Sequence, residues 1–217
     1  MTKAVQTAPA TKGLVLHWAA GYDLLAWLLT RGRDRAFRDK LVGLARLTAG
    51  EAVLDVGCGT GSLAIAATRQ VGPSGMVYGI DPSPAMIARA RSKAKKASAD
   101  VRFETGVAEA LPFSAAQFNV VLSTLMLHHL PRPVRQQFVR EVHRVLTPEG
   151  RVLIVDFAHA QDKTGVLAHF HRHGHVDPRQ IVSLLEEEGL SSVESGPVGI
   201  SSLQYVLATV VTGARAR

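Results

Sequence analysis

Cysteine, aromatic residues and long apolar runs are all scarce in this sequence, and acids are outnumbered by bases. Cys58 is the single cysteine among 217 residues. It excludes a disulfide framework and fits a reducing cytoplasm. Aromatic residues make up 6% of the chain, with seven Phe, and no RNA-binding module accompanies them. That disfavours a nucleic-acid reader built on base stacking. The most apolar early stretch, 14–30, is interrupted by His17, Gly21 and Asp23. It is too short and too polar to span a bilayer, and reads as an amphipathic helix or helix pair. The residues before it are small and polar, unlike a signal peptide with its charged start and apolar middle. Eighteen acids against 25 Lys and Arg leave a net charge of +7. Such a balance permits an acidic partner or an anionic membrane, and equally an ordinary positive surface.

What is present is an ordinary globular composition, 47% hydrophobic and 20% charged, at a length suited to one domain plus a short extension. A chain of this size buries roughly 70% of its unfolded surface, enough for a core without staples. From residue 51 onward, short apolar runs at 52–57, 76–80, 101–104, 120–125 and 152–155 lack polar alternation, as strands covered on both faces do. Helix-compatible segments lie at 62–71, 83–98, 133–146 and 178–188. This alternation predicts a doubly wound, Rossmann-like α/β sheet. Ser83-Pro84 and Asp177-Pro178 each offer a cap followed by proline at the first helical position. Thr147-Pro148-Glu149-Gly150 is a turn signal closing a helix, and Gly189 stands where a C-cap is expected. Runs at 190–194 and 200–211, joined by Ser195-Gly196-Pro197, predict an antiparallel edge pair. Residues 1–50 read as a helical extension covering a ligand site, and 51–217 as the domain.

The chemistry starts at Val53-Leu54-Asp55-Val56-Gly57-Cys58-Gly59-Thr60-Gly61, a buried strand running into a glycine-rich turn and a helix. In this fold that turn lies at the carboxyl edge of the sheet, where ligands bind. A dinucleotide fingerprint needs glycine at 62, where Ser62 stands, and no Lys follows as a phosphate loop requires. Asp55 would repel phosphates but suits a cationic amino group. Asp81, ending the second apolar run, can accept both hydroxyls of a ribose, or it can simply cap a helix.

With three further segments in order, the sequence resembles the class I S-adenosylmethionine (SAM)-dependent methyltransferases. Within them it is similar to the ubiquinone/menaquinone-biosynthesis C-methyltransferases and their lipid- and small-molecule-methylating relatives. The further segments are Gly106-Val107-Ala108-Glu109-Ala110-Leu111-Pro112-Phe113, the stretch 118–133 with Ser123, His129 and Pro131, and Arg144-Val145-Leu146-Thr147-Pro148-Glu149-Gly150-Arg151 with Asp156-Phe157. The resemblance spans roughly residues 20–160. It implies a seven-stranded, mainly parallel sheet in the order 3-2-1-4-5-7-6 with the last strand antiparallel. It implies SAM as methyl donor and S-adenosylhomocysteine as product. Gly57, Gly59, Thr60 and Gly61, with Asp55, would line the methionine end. Asp81 and Pro82 would hold the ribose, Met86 would pack on adenine, Val107, Ala108 and Glu109 would border its edge, and Ser123 would lie near the end of the fourth strand. Val107 departs from the family's Asp or Asn, and Asn119 from its usual Asp. Tyr22-Asp23 and Gly32-Arg33-Asp34-Arg35-Ala36-Phe37 match the quinone group's N-terminal signature only in part.

A base is required only where the acceptor must lose a proton, and His129 or His128, following the fourth strand, could supply it. The alternative is that His129 packs or caps a helix. Tyr22 could touch donor or acceptor, or belong to the core. His159, His169, His171, His173 and His175 alternate in a way that could gather a metal, but no cysteine accompanies them, so a polar substrate-side segment is expected and no metal. Arg31, Arg33, Arg35, Arg38 and Lys40 follow Trp18 and Trp27, an arrangement suited to an anionic membrane surface. Arg89, Arg91, Lys93, Lys95 and Lys96 end a helix and read as a solvated face favoured by its dipole. The expected function is methyl transfer to a small-molecule or lipid acceptor, a quinone precursor or phospholipid headgroup. RNA or protein methylation and a SAM-binding module without transfer are the alternatives. Cytoplasmic placement, at most peripheral at the inner membrane face, is expected; the oligomeric state is illegible.

Overall fold

The computed structural model describes Gly13 and residues 34–157, 177–199 and 203–211. Seven strands form one sheet: β1 (Ala52–Val56), β2 (Met76–Asp81), β3 (Arg102–Thr105), β4 (Phe118–Thr124), β5 (Leu146–Phe157), β6 (Leu190–Pro197) and β7 (Leu203–Val210). Their order is β3-β2-β1-β4-β5-β7-β6. The pairs from β3 through β5 are parallel, and β7 is antiparallel to both β5 and β6. Topology and strand order match the expectation drawn from the resemblance.

The sheet is covered on both sides, which explains the unbroken apolar runs. Along β1, Leu54 and Val56 face a layer holding Phe118, Phe138, Val142 and Leu185. Val53 faces the other, with Leu63, Ala67, Ile87 and Leu122. The first layer is supplied by α4 (Arg132–Val145) and α5 (Pro178–Glu187). The second comes from α1 (Asp34–Leu44), α2 (Ser62–Val71) and α3 (Pro84–Lys96). α1 buries Phe37, Leu41 and Val42 and packs on α2. Arg151 fastens the stretch after α1 to β5. Its guanidinium donates to the carbonyls of Ala45 and Arg46, both at 2.7 Å, and to both oxygens of Glu51 at 2.8 and 2.9 Å.

Local signals act as expected at the helix starts. Ser83 Oγ accepts from Met86 N at 3.4 Å and Asp177 Oδ1 from Arg179 N at 2.9 Å, each followed by proline. Two boundaries differ. Thr147–Gly150 does not separate α4 from a later strand; it bulges within β5, with Glu149 at φ 63°, between the pairings of Leu146 and Arg151. Ser195-Gly196-Pro197 is the end of β6, paired with β7, and the connection comes after it. Asn119 Oδ1 accepts from Ala52 N at 2.9 Å, so the departure there keeps the strand-start bond that a carboxylate would make. Among the described residues no helix is long and apolar enough to cross a membrane, and no group of metal-ligating side chains converges. The histidines 159–175, Tyr22, Trp18, Trp27 and the stretch 1–33 apart from Gly13 lie outside the described residues.

Candidate active site

The site forms where β1, β2 and β4 end. After Val56 the chain turns through Gly57 at φ 73°, Gly59 at 52° and Gly61 at 78°, conformations that disfavour any residue with a Cβ. A Cβ on Gly57 would sit 2.5 Å from Met126 Cγ. The loop is pinned from β2: Gly57 N and Cys58 N both donate to Ile80 O at 2.9 Å, and Gly59 N donates to Asp81 Oδ2 at 3.0 Å. Asp81 Oδ1 accepts from Ser83 N at 2.9 Å. Burial raises the Asp81 carboxyl above its ordinary value, while these two backbone donors pull it back. Each carboxylate oxygen keeps a second lone pair for a ligand donor.

From this loop a cleft opens beside Asp81. Of the residues expected to bind donor or acceptor, Gly57, Gly59, Asp81, Pro82, Met86, Val107, Ala108, Glu109 and His129 line it. The wall formed by 107–113 is held from α4. Arg144 donates to Phe113 O at 2.7 Å and to Leu111 O at 3.0 Å, and Glu141 accepts from Leu111 N at 2.7 Å. The hydrogen bond from Arg144 holds the Glu141 carboxyl below its usual range. Arg144, part of the family-like segment, therefore builds the site's wall from behind.

A smaller polar hollow lies against the glycine loop, lined by Arg38, Asp55, Gly57, Cys58, Thr60, Ser62, Leu63 and Thr124. Asp55, the last residue but one of β1, is fully buried, and desolvation pushes its carboxyl up to about 7. Arg38 opposes this rise and Asp81 adds to it. Asp55 Oδ2, Arg38 Nε and Thr124 Oγ1 are buried without a hydrogen-bond partner among the described residues. Buried polar atoms left so are costly, and a ligand carrying both an ammonium and a carboxylate would satisfy them. Arg38, on α1, was legible in the sequence only as one cation of a basic stretch; its place beside Asp55 follows from the packing of α1 on α2. The amino-acid end of SAM has the required charges, so the donor set fits it. Thr60 is buried here, and its hydroxyl accepts from Lys93 Nζ at 3.0 Å, which also donates to Ser62 Oγ at 2.6 Å. Arg91 donates to Phe103 O through Nε at 3.1 Å. Two of the five cations on α3 thus serve the fold rather than a solvated face.

Gly61, Ser123 and His128 line neither space. Gly61 closes the loop against Phe103 and Ala90, Ser123 is buried in β4, and His128 lies behind His129. At the end of β4, Leu125 is held at φ 56°, a left-handed conformation that costs a bulky residue roughly 1–2 kcal/mol. It turns the chain into the short helical turn Leu127–His129, which brings His129 to the cleft.

The methyltransferase domain family matches residues 53–150. In that span this chain carries a methyltransferase domain. It is 34% identical over 140 residues to a demethylmenaquinone methyltransferase from Lactobacillus johnsonii, covering 64% of this chain and 57% of that protein. It is 40% identical over 134 residues to a 27-O-demethylrifamycin SV methyltransferase from Amycolatopsis mediterranei, covering 60% and 47%. The chain thus spans about half the length of these relatives. A SAM-dependent methyltransferase of Aquifex aeolicus shares the fold at a TM-score of 0.70, with 24% identity over 80% of this chain and 89% of that one.

The charge at Asp55 gives the methyltransferase domain an expected pH response. The folded, ligand-free protein holds a proton on Asp55 that the unfolded chain, with an ordinary value of 3.8, gives up earlier. Its contribution to stability is therefore present below about pH 4 and is lost as pH rises toward about 7. An ammonium bound beside it favours the carboxylate, so binding releases a proton. SAM affinity is expected to rise from pH 5.5 to 7 by roughly tenfold. Calorimetry in two buffers of different ionisation enthalpy reads that proton directly, and Asp55→Asn abolishes it. A flat profile in the unaltered protein would remove Asp55 from the ammonium site.

Proposed function

We propose that this protein transfers the methyl group of SAM to a small-molecule or lipid acceptor, a reduced quinone precursor being the first candidate. The observation that carries the reading is the presence of two complementary spaces on either side of Gly57, which lines both: an Asp55–Arg38 hollow suited to a zwitterion, and a cleft lined by Asp81 and His129. When bound, SAM supplies a methyl carbon already activated by its sulfonium. The chain's own residues orient and enclose. Asp81 receives the ribose hydroxyls, Met86 and Pro82 supply apolar surface for adenine, and Val107, Ala108 and Glu109 form the far wall. Positioning of this kind is worth ~7–11 kcal/mol of a barrier. His129 takes the acceptor's proton. The names of the relatives, a demethylmenaquinone methyltransferase and a 27-O-demethylrifamycin SV methyltransferase, support a small-molecule acceptor. An acceptor of the quinone kind would also account for the exposed cations Arg35 and Lys40 as part of a membrane-facing surface, Arg38 being taken up by the hollow beside Asp55, with the protein cytoplasmic and peripheral at the membrane.

The test has two stages. Calorimetric titration with SAM and with S-adenosylhomocysteine is expected to give one site per chain. Transfer of labelled methyl is then compared among a reduced naphthoquinone lacking its ring methyl, phosphatidylethanolamine vesicles and bulk RNA. Label entering the naphthoquinol fraction supports the reading; label entering RNA alone overturns it.

A further inference from the structure

Behind His129 lies a buried pair that the donor site does not use. His128 Nδ1 and Asp156 Oδ1 are 2.7 Å apart, with the two side chains 4% and 1% exposed. Asp156 is the last residue but one of β5, whereas His128 sits in the turn after β4, so the pair joins two strand ends. The same carboxylate accepts two backbone N–H groups, His128 N on Oδ2 at 3.1 Å and Phe157 N on Oδ1 at 2.8 Å. Among the described residues, the carboxylate's two backbone partners are both donors, and an ionised carboxylate can only accept. That leaves the imidazole one role at Nδ1, to donate, and therefore leaves Nε2 bare in the neutral ring. Phe157 closes one side of the His128 ring edge-on at 5.4 Å. On another, the His129 ring lies with its centroid 3.9 Å from that of His128, tilted by 45°. The charged and titratable groups facing the pair among the described residues are His129 and Arg135, whose guanidinium feels the Asp156 charge.

We propose that Asp156 and His128 are positioning residues for His129, and that the acceptor belongs to the class that must lose a proton to be methylated, a hydroxyl or a ring carbon activated by one. The inference rests on the methyl-transfer reading above. Asp156 locks the His128 ring in one rotamer and one tautomer, and that ring supports the face of His129 at the cleft. As the acceptor's electron pair takes up the methyl carbon, sulfur keeps the pair of the broken carbon–sulfur bond. The acceptor's proton passes to a ring nitrogen of His129. The resulting imidazolium is stabilised by the buried carboxylate one ring away, and its proton leaves to water when product departs. An acceptor with a free lone pair and no proton to lose would need none of this.

The test begins with S-adenosylhomocysteine titration, which stands or falls with the donor site alone. Long-range proton–nitrogen NMR on the full chain with S-adenosylhomocysteine bound then reads each ring. The expected result is His128 protonated at Nδ1, and His129 ring signals that shift in Asp156→Asn. Asparagine must face one of the three donors with its own NH2, so it cannot reproduce the contact set. With the naphthoquinol probe, or whichever acceptor the screen above reveals, Asp156→Asn is expected to lower turnover roughly tenfold or more, while affinity for S-adenosylhomocysteine stays within about twofold. His128→Gln is the second variant, because its amide still donates to Asp156 while the supporting ring is gone; it is expected to move the His129 signals and slow turnover likewise. His128 protonated at Nε2, His129 signals unmoved in both variants, or turnover and donor affinity falling together would each overturn the proposal and leave the pair as a tie between β5 and the turn after β4.

Discussion

Asp81→Ala is expected to weaken binding of SAM and of S-adenosylhomocysteine at least tenfold. The carboxylate stands at the end of β2 with both oxygens facing the cleft rim, each already holding one backbone donor. A ribose would add two charge-assisted hydrogen bonds, each worth about 1.5–3 kcal/mol, and every 1.4 kcal/mol is roughly tenfold in affinity. The substitution also leaves Gly59 N and Ser83 N without their acceptor, so a loss of a few degrees in melting temperature accompanies it. The two effects separate by calorimetry, since the affinity change persists far below the melting temperature. Unchanged affinity would remove Asp81 from the donor site and leave it as a brace between the glycine loop and the start of α3.

Gly61→Ala is expected to act on the fold instead of on any single ligand contact. The residue sits at φ 78°, and an added Cβ would come within 2.6 Å of Phe103 Cζ and 2.9 Å of Ala90 Cβ. The left-handed backbone costs a non-glycine residue roughly 1–2 kcal/mol, and the overlap with two well-packed neighbours about 1–3 kcal/mol more. Neither neighbour is free to retreat: Phe103 is in β3 and Ala90 is on the buried face of α3. A fall in melting temperature on the order of 10 °C follows. Urea denaturation checks it, and a midpoint unchanged from the parent would show that this part of the loop yields without strain.

These two residues illustrate why so much of the donor half could be read from the chain. Asp81 and the glycines sit at ends of elements whose periods are local, so a strand followed by a turn residue places them without long-range information. α2, at Ser62–Val71, coincides with its expected span for the same reason. The reading failed where one local signal had two physical outcomes. Thr147-Pro148-Glu149-Gly150 makes a turn, but β4 pairs on both sides of it, so it becomes a bulge inside one strand. Gly196 and Pro197 look like a loop, yet an edge strand tolerates both because one side of it needs no ladder bonds. Arg38 stood in the sequence only as one of a run of cations and Asp156 only as part of a family-like segment, with no local signal of what either would touch. Each gains meaning from a partner brought close by tertiary packing: Asp55 from α1 lying on α2, and His128 from the strand ends meeting.

The position of β7 has a consequence for how the molecule is made. β7 follows β6 in the chain but lies between it and β5, with seven residue pairs to each neighbour. Until residues 203–210 are synthesised, β5 presents an unpaired edge, and β6 has no strand to join. The first five strands are linked by helices except between β3 and β4, and can pair as they emerge. Completion of the sheet waits on an insertion, a non-local step that is intrinsically slow. During that wait the open edge of β5, rich in Val, Leu and Ile, is the surface on which two nascent chains would adhere. Chaperone demand and aggregation in this protein should therefore concentrate on the interval before β7 docks, and a chain cut short of Leu203 should be recovered mainly as insoluble material.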